Sequence, residues 1–249
     1  MGCGRKIGPF DCCSVVCCDC LEAMKNLPDG CVDAVITDPV WPNSIPELHG
    51  ADDPYAEFAG MCTRMNAKRI AVIIGCNSDP RFCAPIDLPF FRVCWLEYTR
   101  PHYLGRLMYG SGVAYLFGQP PNARDDQFVI SGRFCDTSST GKESEHPCPR
   151  KISHMEWIVR KWSNPDELVL DPFLGSGTTA VAAKKLGRHF LGFEIEPKYM
   201  AIAEERIALV EAQPTLFERK PEQLRLTQAA EGLREDTDAY VRGIRLVMK

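Results

Sequence analysis

A glycine-rich segment between two apolar runs does most to limit how this chain can fold. Residues 168–179 read Leu-Val-Leu-Asp-Pro-Phe-Leu-Gly-Ser-Gly-Thr-Thr, so an apolar run ends in an acid and two glycines lead into a helical stretch. That stretch ends near Gly187, and a second apolar run covers residues 190–195. A strand, a glycine-rich turn, a helix and a second strand in this order predict a β-α-β unit. Two strands joined in this way are parallel.

The rest of the chain continues the alternation of strands and helices. Short apolar runs bounded by turn residues predict strands, and apolar residues at helical spacing predict helices. An alternating order predicts an α/β fold with a doubly wound, mostly parallel sheet. The other predicted strands are 14–18, 32–37, 69–75, 90–98 and 112–117, and the other predicted helices begin at 21, 55, 152 and 197.

Bulk composition excludes few classes of protein. The chain has 249 residues, 45% of them apolar and 25% charged, as expected for one globular domain with insertions. No apolar stretch approaches the roughly 20 residues that span a bilayer, and residues 1–6 lack the apolar core of a signal peptide. We therefore expect a cytoplasmic protein without membrane contact. The net charge of −4 gives no sign of nucleic-acid binding, although residues 92–161 carry ten Lys or Arg against seven Asp or Glu.

Cysteine is unusually frequent. Six of the 13 cysteines lie in the first twenty residues. An odd number without a secretion signal favours reduced thiols over a disulfide framework. The run from Cys12 to Cys20 lacks two Cys-x-x-Cys pairs separated by a linker, and Cys17 and Cys18 lie in a predicted strand. The sequence therefore predicts buried structural thiols and no metal site.

The glycine-rich turn has the features of a cofactor site. Gly175 and Gly177 would let a ligand approach the backbone at the start of a helix. A phosphate-binding loop is excluded because no lysine follows Gly177, and Ala180 stands where a dinucleotide fingerprint would need its third glycine. Asp171 would repel a pyrophosphate but favour a cationic cofactor such as S-adenosylmethionine. About twenty residues on, Glu194 ends the next strand, where an acid can accept hydrogen bonds from ribose.

Three segments together resemble the amino-group DNA methyltransferases. They read CCDCLEAMKNLPDGCVDAVITDPVW from residue 17, HPCPRK from residue 146, and LVLDPFLGSGTTAVAAKKLGRHFLGFEIEPKY from residue 168. The first is similar to the segment that ends in the family's catalytic tetrad, and the last to its cofactor-binding half. In this chain the catalytic motif precedes the cofactor motif, which is the order found in the permuted group of the family called the β class. The resemblance covers roughly residues 14–210.

The resemblance implies a Rossmann-like methyltransferase fold that binds S-adenosylmethionine. Asp171 would bind the methionine amino group of the cofactor, and Glu194 its ribose. Asp19 would lie near the adenine ring of the cofactor; the alternative is that it only caps the helix that begins at Leu21. The other implied cofactor residues belong to the glycine-rich turn or to the element that closes over the cofactor: Phe173, Gly175, Gly177, Thr178, His146 and Pro147.

The tetrad of residues 38–41 implies transfer to an exocyclic amino group. The lone pair of such a nitrogen is delocalised into the base, so acceptors on its hydrogens make it more nucleophilic. Asp38 would supply a carboxylate and Pro39 its carbonyl, while Trp41 would stack on a base flipped out of the duplex. The family has proline where this chain has Val40, which also favours extended backbone.

The target base and the role of the chain remain open at this level. An aspartate at the start of the tetrad is a tendency of adenine N6 enzymes, so we expect an adenine-N6 DNA methyltransferase of a restriction-modification type. The alternatives are cytosine N4, an RNA or small-amine substrate, and a non-catalytic cofactor-binding subunit, which Val40 and the charged tail suggest.

We expect one domain over residues 1–210. Residues 14–118 would form the catalytic half, 119–145 a short target-recognition insert and 146–210 the cofactor half, followed by a charged, helical tail at 211–249. The tail would support a homodimer or remain a solvated helix. Duplex DNA is the expected partner, and the basic residues that would contact it are Arg100, Arg106, Arg124 and Arg133.

Overall fold

The computed structural model describes residues 3–39, 54–75, 78–104, 106–122, 131–136 and 150–212. Its strands are β1 (Lys6–Ile7), β2 (Phe10–Asp11), β3 (Ser14–Cys17), β4 (Ala34–Thr37), β5 (Arg69–Gly75), β6 (Phe90–Leu104), β7 (Leu107–Gly118), β8 (Arg133–Asp136), β9 (Leu168–Asp171) and β10 (His189–Glu194). Its α-helices are α1 (Cys20–Met24), α2 (Pro54–Arg64), α3 (Ile152–Trp162), α4 (Thr178–Lys185) and α5 (Pro197–Ala212), with a 3-10 helix at Pro80–Cys83.

One eight-stranded sheet organises the molecule, in the order β3-β10-β9-β4-β5-β7-β6-β8. Within the described sheet β7 alone runs against the other strands. Strands β4, β5 and β9 are almost continuously apolar and buried, as expected of parallel strands that are covered on both faces. The predicted α/β fold with a doubly wound, mostly parallel sheet is confirmed.

Two hydrophobic cores lie on opposite faces of this sheet. In β5, Ile70, Val72 and Ile74 pack with α1 and α2 on one face. Ala71 and Ile73 point to the other face, where they pack with α3, α4 and α5. Successive strand residues point to opposite faces, so an uninterrupted apolar run supplies both cores. The helices therefore sandwich the sheet and leave the ends of its strands free to carry a site.

Strands β6 and β7 form a hairpin that extends beyond its neighbour in the sheet. Pairing between β5 and β7 stops at Gly75 opposite Gly112, whereas pairing between β6 and β7 continues to Leu104 opposite Leu107. Because β5 is parallel to β4, the hairpin arm projects from the edge at which β4 ends. The sequence predicted both strands without this extension, because the polar residues of the arm give no apolar run.

Strand β8 lies inside the segment that the sequence predicted to be loop-like. Residues 133–136 pair in parallel with β6 at the edge of the sheet. Phe134 stacks on Trp157 of α3, and the buried Asp136 forms an ion pair of 2.7 Å with Lys151. Contacts of individual aromatic and charged side chains such as these help to hold this strand, so its sequence lacks the apolar pattern of a buried strand. The rest of the insert, residues 123–130 and 137–145, lies outside the described residues.

The chain divides between Val210 and Glu211 into two units, and residues 213–249 of the second unit lie outside the described residues. Within the described part of the chain, no helix is both long enough and apolar enough to cross a membrane.

Candidate active site

The two principal motifs of the sequence meet at neighbouring strand ends. β4 and β9 pair in parallel, which places the residues that follow them at one edge of the sheet. The Thr37 hydroxyl donates a hydrogen bond of 2.8 Å to Oδ1 of Asp171, across 134 residues of sequence. Asp38 follows Thr37 directly, so the first acid of the tetrad and the acid of the glycine-rich turn lie on adjacent elements.

Asp171 is a buried acid whose charge is costly. Its carboxylate is 3% exposed and also accepts a bond of 3.1 Å from the Phe173 backbone N–H. The pKa of Asp171 is raised to about 7, because burial and the negative charge of Asp38 raise it more than the hydrogen bonds from Thr179, Thr37 and the Phe173 N–H lower it. A ligand cation at this position would favour the ionised form. The environment therefore suits a positively charged group better than an anion.

The glycine-rich turn needs its glycines for shape and for packing. Gly175 and Gly177 both adopt left-handed backbone, with φ of 54° and 81°. A Cβ on Gly177 would lie 2.6 Å from the Cβ of Ala203, so α5 packs directly on the turn. Phe173 packs edge-on against Phe58 of α2, with the ring centroids 5.7 Å apart. The turn is thereby fixed from both faces of the sheet.

Arg206 of α5 holds the same turn from behind. Its Nη1 donates to the Ser176 carbonyl oxygen at 2.5 Å, to the Ser176 hydroxyl at 3.0 Å and to the Thr178 hydroxyl at 3.1 Å. Burial lowers the pKa of Arg206. The Thr178 side chain is thus engaged with α5, and its cofactor contact stays a prediction. Sequence reasoning missed Arg206 because a charge within a long helix normally faces solvent.

Glu194 connects the turn to the end of β10. Its Oε2 accepts from the Gly175 N–H at 2.7 Å and its Oε1 from the Glu196 N–H at 2.9 Å. Burial raises the pKa of this carboxyl group, and the two backbone donors oppose the shift. Each carboxylate oxygen has two acceptor sites, so these bonds leave capacity for a ribose hydroxyl. Contact with ribose stays a prediction.

Asp19 lies beside Glu194 at the same edge of the sheet. β3 pairs with β10 in parallel, with Cys17 opposite Glu194. Asp19 caps α1, and its Oδ1 accepts from the backbone N–H groups of Leu21 at 2.7 Å and Glu22 at 3.3 Å. The capping role that the sequence left open is therefore present, and contact with the adenine ring stays a prediction.

Arg150, which sequence reasoning did not single out, pairs with the first acid of the tetrad. Its guanidinium forms a two-pronged ion pair with Asp38, through Nε to Oδ2 and through Nη2 to Oδ1 at 2.9 Å. The side chains of Arg150 and Asp38 are only 12% and 18% exposed. A Cβ on Gly112 would lie 3.2 Å from Nη1 of Arg150, so this glycine leaves room for the arginine. The sequence did offer a sign of this role, because HPCPRK contains Arg150, whose guanidinium can bind both oxygens of a carboxylate.

Some of the other predicted site residues are described by the structure, and the rest are not. Pro39 is buried directly after Asp38. Arg106 lies exposed at the turn of the β6–β7 hairpin, and Arg100 lies on the arm of the same hairpin. Arg133 forms an exposed ion pair of 2.7 Å with Glu97, so its charge is shared with an acid. Trp41, His146, Pro147 and Arg124 lie outside the described residues.

The tip of the β6–β7 hairpin exposes large side chains. Tyr103 is 69% exposed and Met108 is 59% exposed. Arg106 lies between them at the turn. The arm therefore carries an aromatic, an apolar and a cationic group beyond the edge of the sheet where Asp38 and Asp171 lie.

Comparison with known proteins gives a consistent result. Residues 93–205 match the model of the DNA methylase family, from β6 to α5. The chain is 28% identical over 210 residues to YubD of Escherichia coli (strain K12), which covers 78% of this chain and 89% of YubD. It is 38% identical over 99 residues to the type II methyltransferase M.HinfI of Haemophilus influenzae, and spans only 28% of that protein.

A solved structure shows the same fold. The crystal structure of the M1.HpyAVI–SAM complex superposes with a TM-score of 0.60 at 24% identity, over 78% of this chain and 98% of that one.

Proposed function

We propose that this chain, which belongs to the amino-group DNA methyltransferase family and uses S-adenosylmethionine, methylates N6 of adenine in DNA. The observation that carries the proposal is the hydrogen bond of 2.8 Å from Thr37 to Asp171. It links the strand end that bears Asp38 to the strand end that bears the glycine-rich turn. Methyl transfer requires a donor and an acceptor in contact, and adjacent parallel strand ends supply that proximity.

The cofactor half would hold a cation against a buried acid. S-adenosylmethionine, when bound, supplies a methyl group on a positively charged sulfur. Asp171 would accept from the methionine ammonium, and that contact would return the carboxylate to its ionised form. The turn that includes Gly175 would lie against the cofactor, while Glu194 would use its remaining lone pairs for the ribose. Asp19, Phe173, Gly177, Thr178, His146 and Pro147 complete the proposed cofactor site.

The catalytic half would make the adenine nitrogen a better nucleophile. The Asp38 carboxylate and the Pro39 carbonyl would accept the two N6 hydrogens and draw the lone pair out of conjugation. The lone pair then forms the N–C bond while the S–C bond breaks, and N6 loses one proton to Asp38 or to water. Trp41 would stack on the flipped base.

Arg150 sets a condition on this step. Both oxygens of Asp38 accept from its guanidinium, so the substrate amino group has to share one oxygen with Arg150. Each oxygen has capacity for a second donor. We infer that Arg150 fixes the rotamer of Asp38 through this two-pronged contact, which makes Arg150 a positioning residue.

Adenine N6 is preferred to cytosine N4 because the tetrad begins with aspartate. Duplex DNA is the proposed partner, contacted through Arg106 and Tyr103 at the hairpin tip and through Arg100, Arg124 and Arg133. A cytoplasmic location stays a prediction. A homodimer through the tail stays a prediction.

The test is direct detection of the product. Purified protein is incubated with labelled S-adenosylmethionine and unmethylated genomic DNA, and the DNA is digested to nucleosides for mass spectrometry. We expect N6-methyl-2′-deoxyadenosine, and its loss in Asp38→Ala. Asp87→Ala is the matched control, because Asp87 is exposed and lies just before β6, at the opposite edge of the sheet.

Other products would change the conclusion in defined ways. Detection of N4-methyl-2′-deoxycytidine would change the proposed target base from adenine to cytosine and leave the proposed chemistry intact. Transfer of the label to RNA and not to DNA would change the proposed substrate from DNA to RNA. Cofactor binding without any methylated product would refute a self-sufficient enzyme and would favour a subunit that needs a second chain.

A further inference from the structure

Four metal-ligating side chains converge around the N-terminal hairpin. The Sγ atoms of Cys3, Cys12 and Cys13 and a ring nitrogen of His189 all lie within 4.8 Å of one another. Three of the residues flank the β1–β2 hairpin, and the fourth begins β10. No step of the proposed methyl transfer uses them.

The spacing of these atoms suits a tetrahedral ion. The Sγ atoms of Cys12 and Cys13 are 3.7 Å apart, and Cys13 Sγ is 3.4 Å from Nδ1 of His189. Zn–S bonds of about 2.3 Å and Zn–N bonds of about 2.0 Å place two tetrahedral sulfur ligands roughly 3.8 Å apart, and a sulfur and a nitrogen roughly 3.5 Å apart. The two measured edges therefore fit one zinc ion between the side chains.

The backbone fixes the cysteines independently of their side chains. The Cys12 N–H donates to the Arg5 carbonyl at 2.9 Å, and the Cys13 N–H donates to the Phe190 carbonyl at 2.8 Å. Cys13 has a φ of 61°, a left-handed conformation that is rare outside glycine and asparagine. Such a residue persists where its surroundings determine its conformation. The hairpin is thus anchored to β10 beside His189.

The sequence prediction of no metal site rested on a different grouping of cysteines. It considered the run from Cys12 to Cys20, but Cys17 and Cys18 direct their thiols to the carbonyls of Ile195 and Val16. The structure brings Cys12 and Cys13 together with Cys3 across the hairpin, and with a histidine 176 residues away from Cys13. Sequence spacing alone could not show this histidine.

We propose that Cys3, Cys12, Cys13 and His189 bind one Zn²⁺ ion in a closed structural site. Three sulfurs and one imidazole nitrogen are a ligand set typical of zinc, whereas magnesium and calcium prefer oxygen. On binding, the three thiols lose their protons to solvent and the imidazole binds as its neutral form. Four protein ligands leave no position for water, so the ion stabilises structure and takes no part in chemistry.

The site would secure one edge of the sheet. β3 is an edge strand, and the cluster lies at its amino end and at that of β10. Glu194 lies at the opposite end of β10, about 17 Å away at 3.3 Å per residue. An ion at the amino end would fix the register of β3 on β10, and so the position of Asp19 at the other end of β3.

Metal content gives the first test. The protein is purified from zinc-supplemented cells without chelators and assayed by mass spectrometry of its metals. We expect one zinc ion per chain in the unmodified protein and in Cys17→Ser, an exposed cysteine outside the cluster. Cys3→Ser is the main variant, because Cys3 is exposed and its change leaves the core intact. Changes around a zinc ligand already weaken binding by about 10–100-fold, so loss of a ligand should weaken it by at least that factor.

A cobalt spectrum tests the ligand set without reference to activity. Co²⁺ added to the metal-free protein should give sulfur-to-cobalt charge-transfer bands and the visible bands of tetrahedral coordination. His189→Gln should alter the visible bands, and Cys17→Ser should not. A chain with three free thiols and no zinc would overturn the proposal. So would a disulfide among these cysteines after reducing purification, or an unchanged zinc content in Cys3→Ser.

Discussion

Replacement of Asp171 by asparagine should stabilise the cofactor-free protein, and increasingly so as the pH rises. The carboxyl group is buried, and burial raises its pKa from 3.8 to about 7. Asparagine keeps an acceptor oxygen for the Thr37 hydroxyl and the Phe173 N–H but carries no charge. The comparison therefore isolates the cost of ionising this one carboxyl group.

The sign and size follow from the two pKa values. The folded chain holds the proton up to about pH 7, whereas the unfolded chain releases it near pH 3.8, so raising the pH across this window favours unfolding. At about 1.4 kcal/mol for each pH unit, the loss in unfolding free energy reaches roughly 4 kcal/mol above pH 7. Asp171→Asn should match the unmodified protein near pH 4 and exceed it by up to this amount at pH 8.

Urea unfolding at a series of pH values is the assay. The quantity to plot is the difference in unfolding free energy between Asp171→Asn and the unmodified protein, because all other titrating groups cancel. Asp87→Asn is the matched control, because it makes the same chemical change at an exposed position outside the site. A difference for Asp171→Asn that is flat with pH, or that falls as the pH rises, would refute the reasoning.

Three further predictions concern the same site. Cofactor binding at about pH 6 should release close to one proton from Asp171, and binding near pH 8.5 should release almost none. Calorimetry in buffers of different ionisation enthalpy measures this proton release. Equal release at the two pH values would contradict the proposed contact. Arg150→Ala should lower turnover by at least about tenfold with little change in cofactor affinity, and Arg150→Lys should restore part of the turnover. Faster turnover in Arg150→Ala would instead identify the ion pair with Asp38 as inhibitory. Gly177→Ala should destabilise the fold by about 1–3 kcal/mol in thermal unfolding, because of its left-handed backbone and the 2.6 Å approach to Ala203; an unchanged melting temperature would argue against this packing.

Local patterns were sufficient for the elements that hold the cofactor motif. The run that ends at Asp171 and the turn through Gly175 and Gly177 are encoded by neighbouring residues, so strand, turn and helix follow from the sequence. The capping role of Asp19 was likewise readable from the helix that follows it. Each of these features depends on residues that are close together in the sequence.

Features that depend on distant partners were not predicted. β8 is held by Phe134 on Trp157 and by the ion pair of Asp136, and neither contact leaves an apolar pattern in the sequence. Arg150 acquires its role only when folding brings it to Asp38, 112 residues away. Chain topology decides such contacts, and no local propensity reports them.

The long β6–β7 hairpin can change its length without disturbing the rest of the sheet. Beyond Tyr98, where pairing with β8 stops, the described part of the arm pairs only within the hairpin, so the length of this outer part is independent of the register of the rest of the sheet. Two residues inserted in each strand would extend the reach by about 7 Å and keep every side chain on its original face. If the tip contacts DNA as proposed, insertion or exchange there would alter that contact while the strand ends that carry Asp38 and Asp171 stay in place.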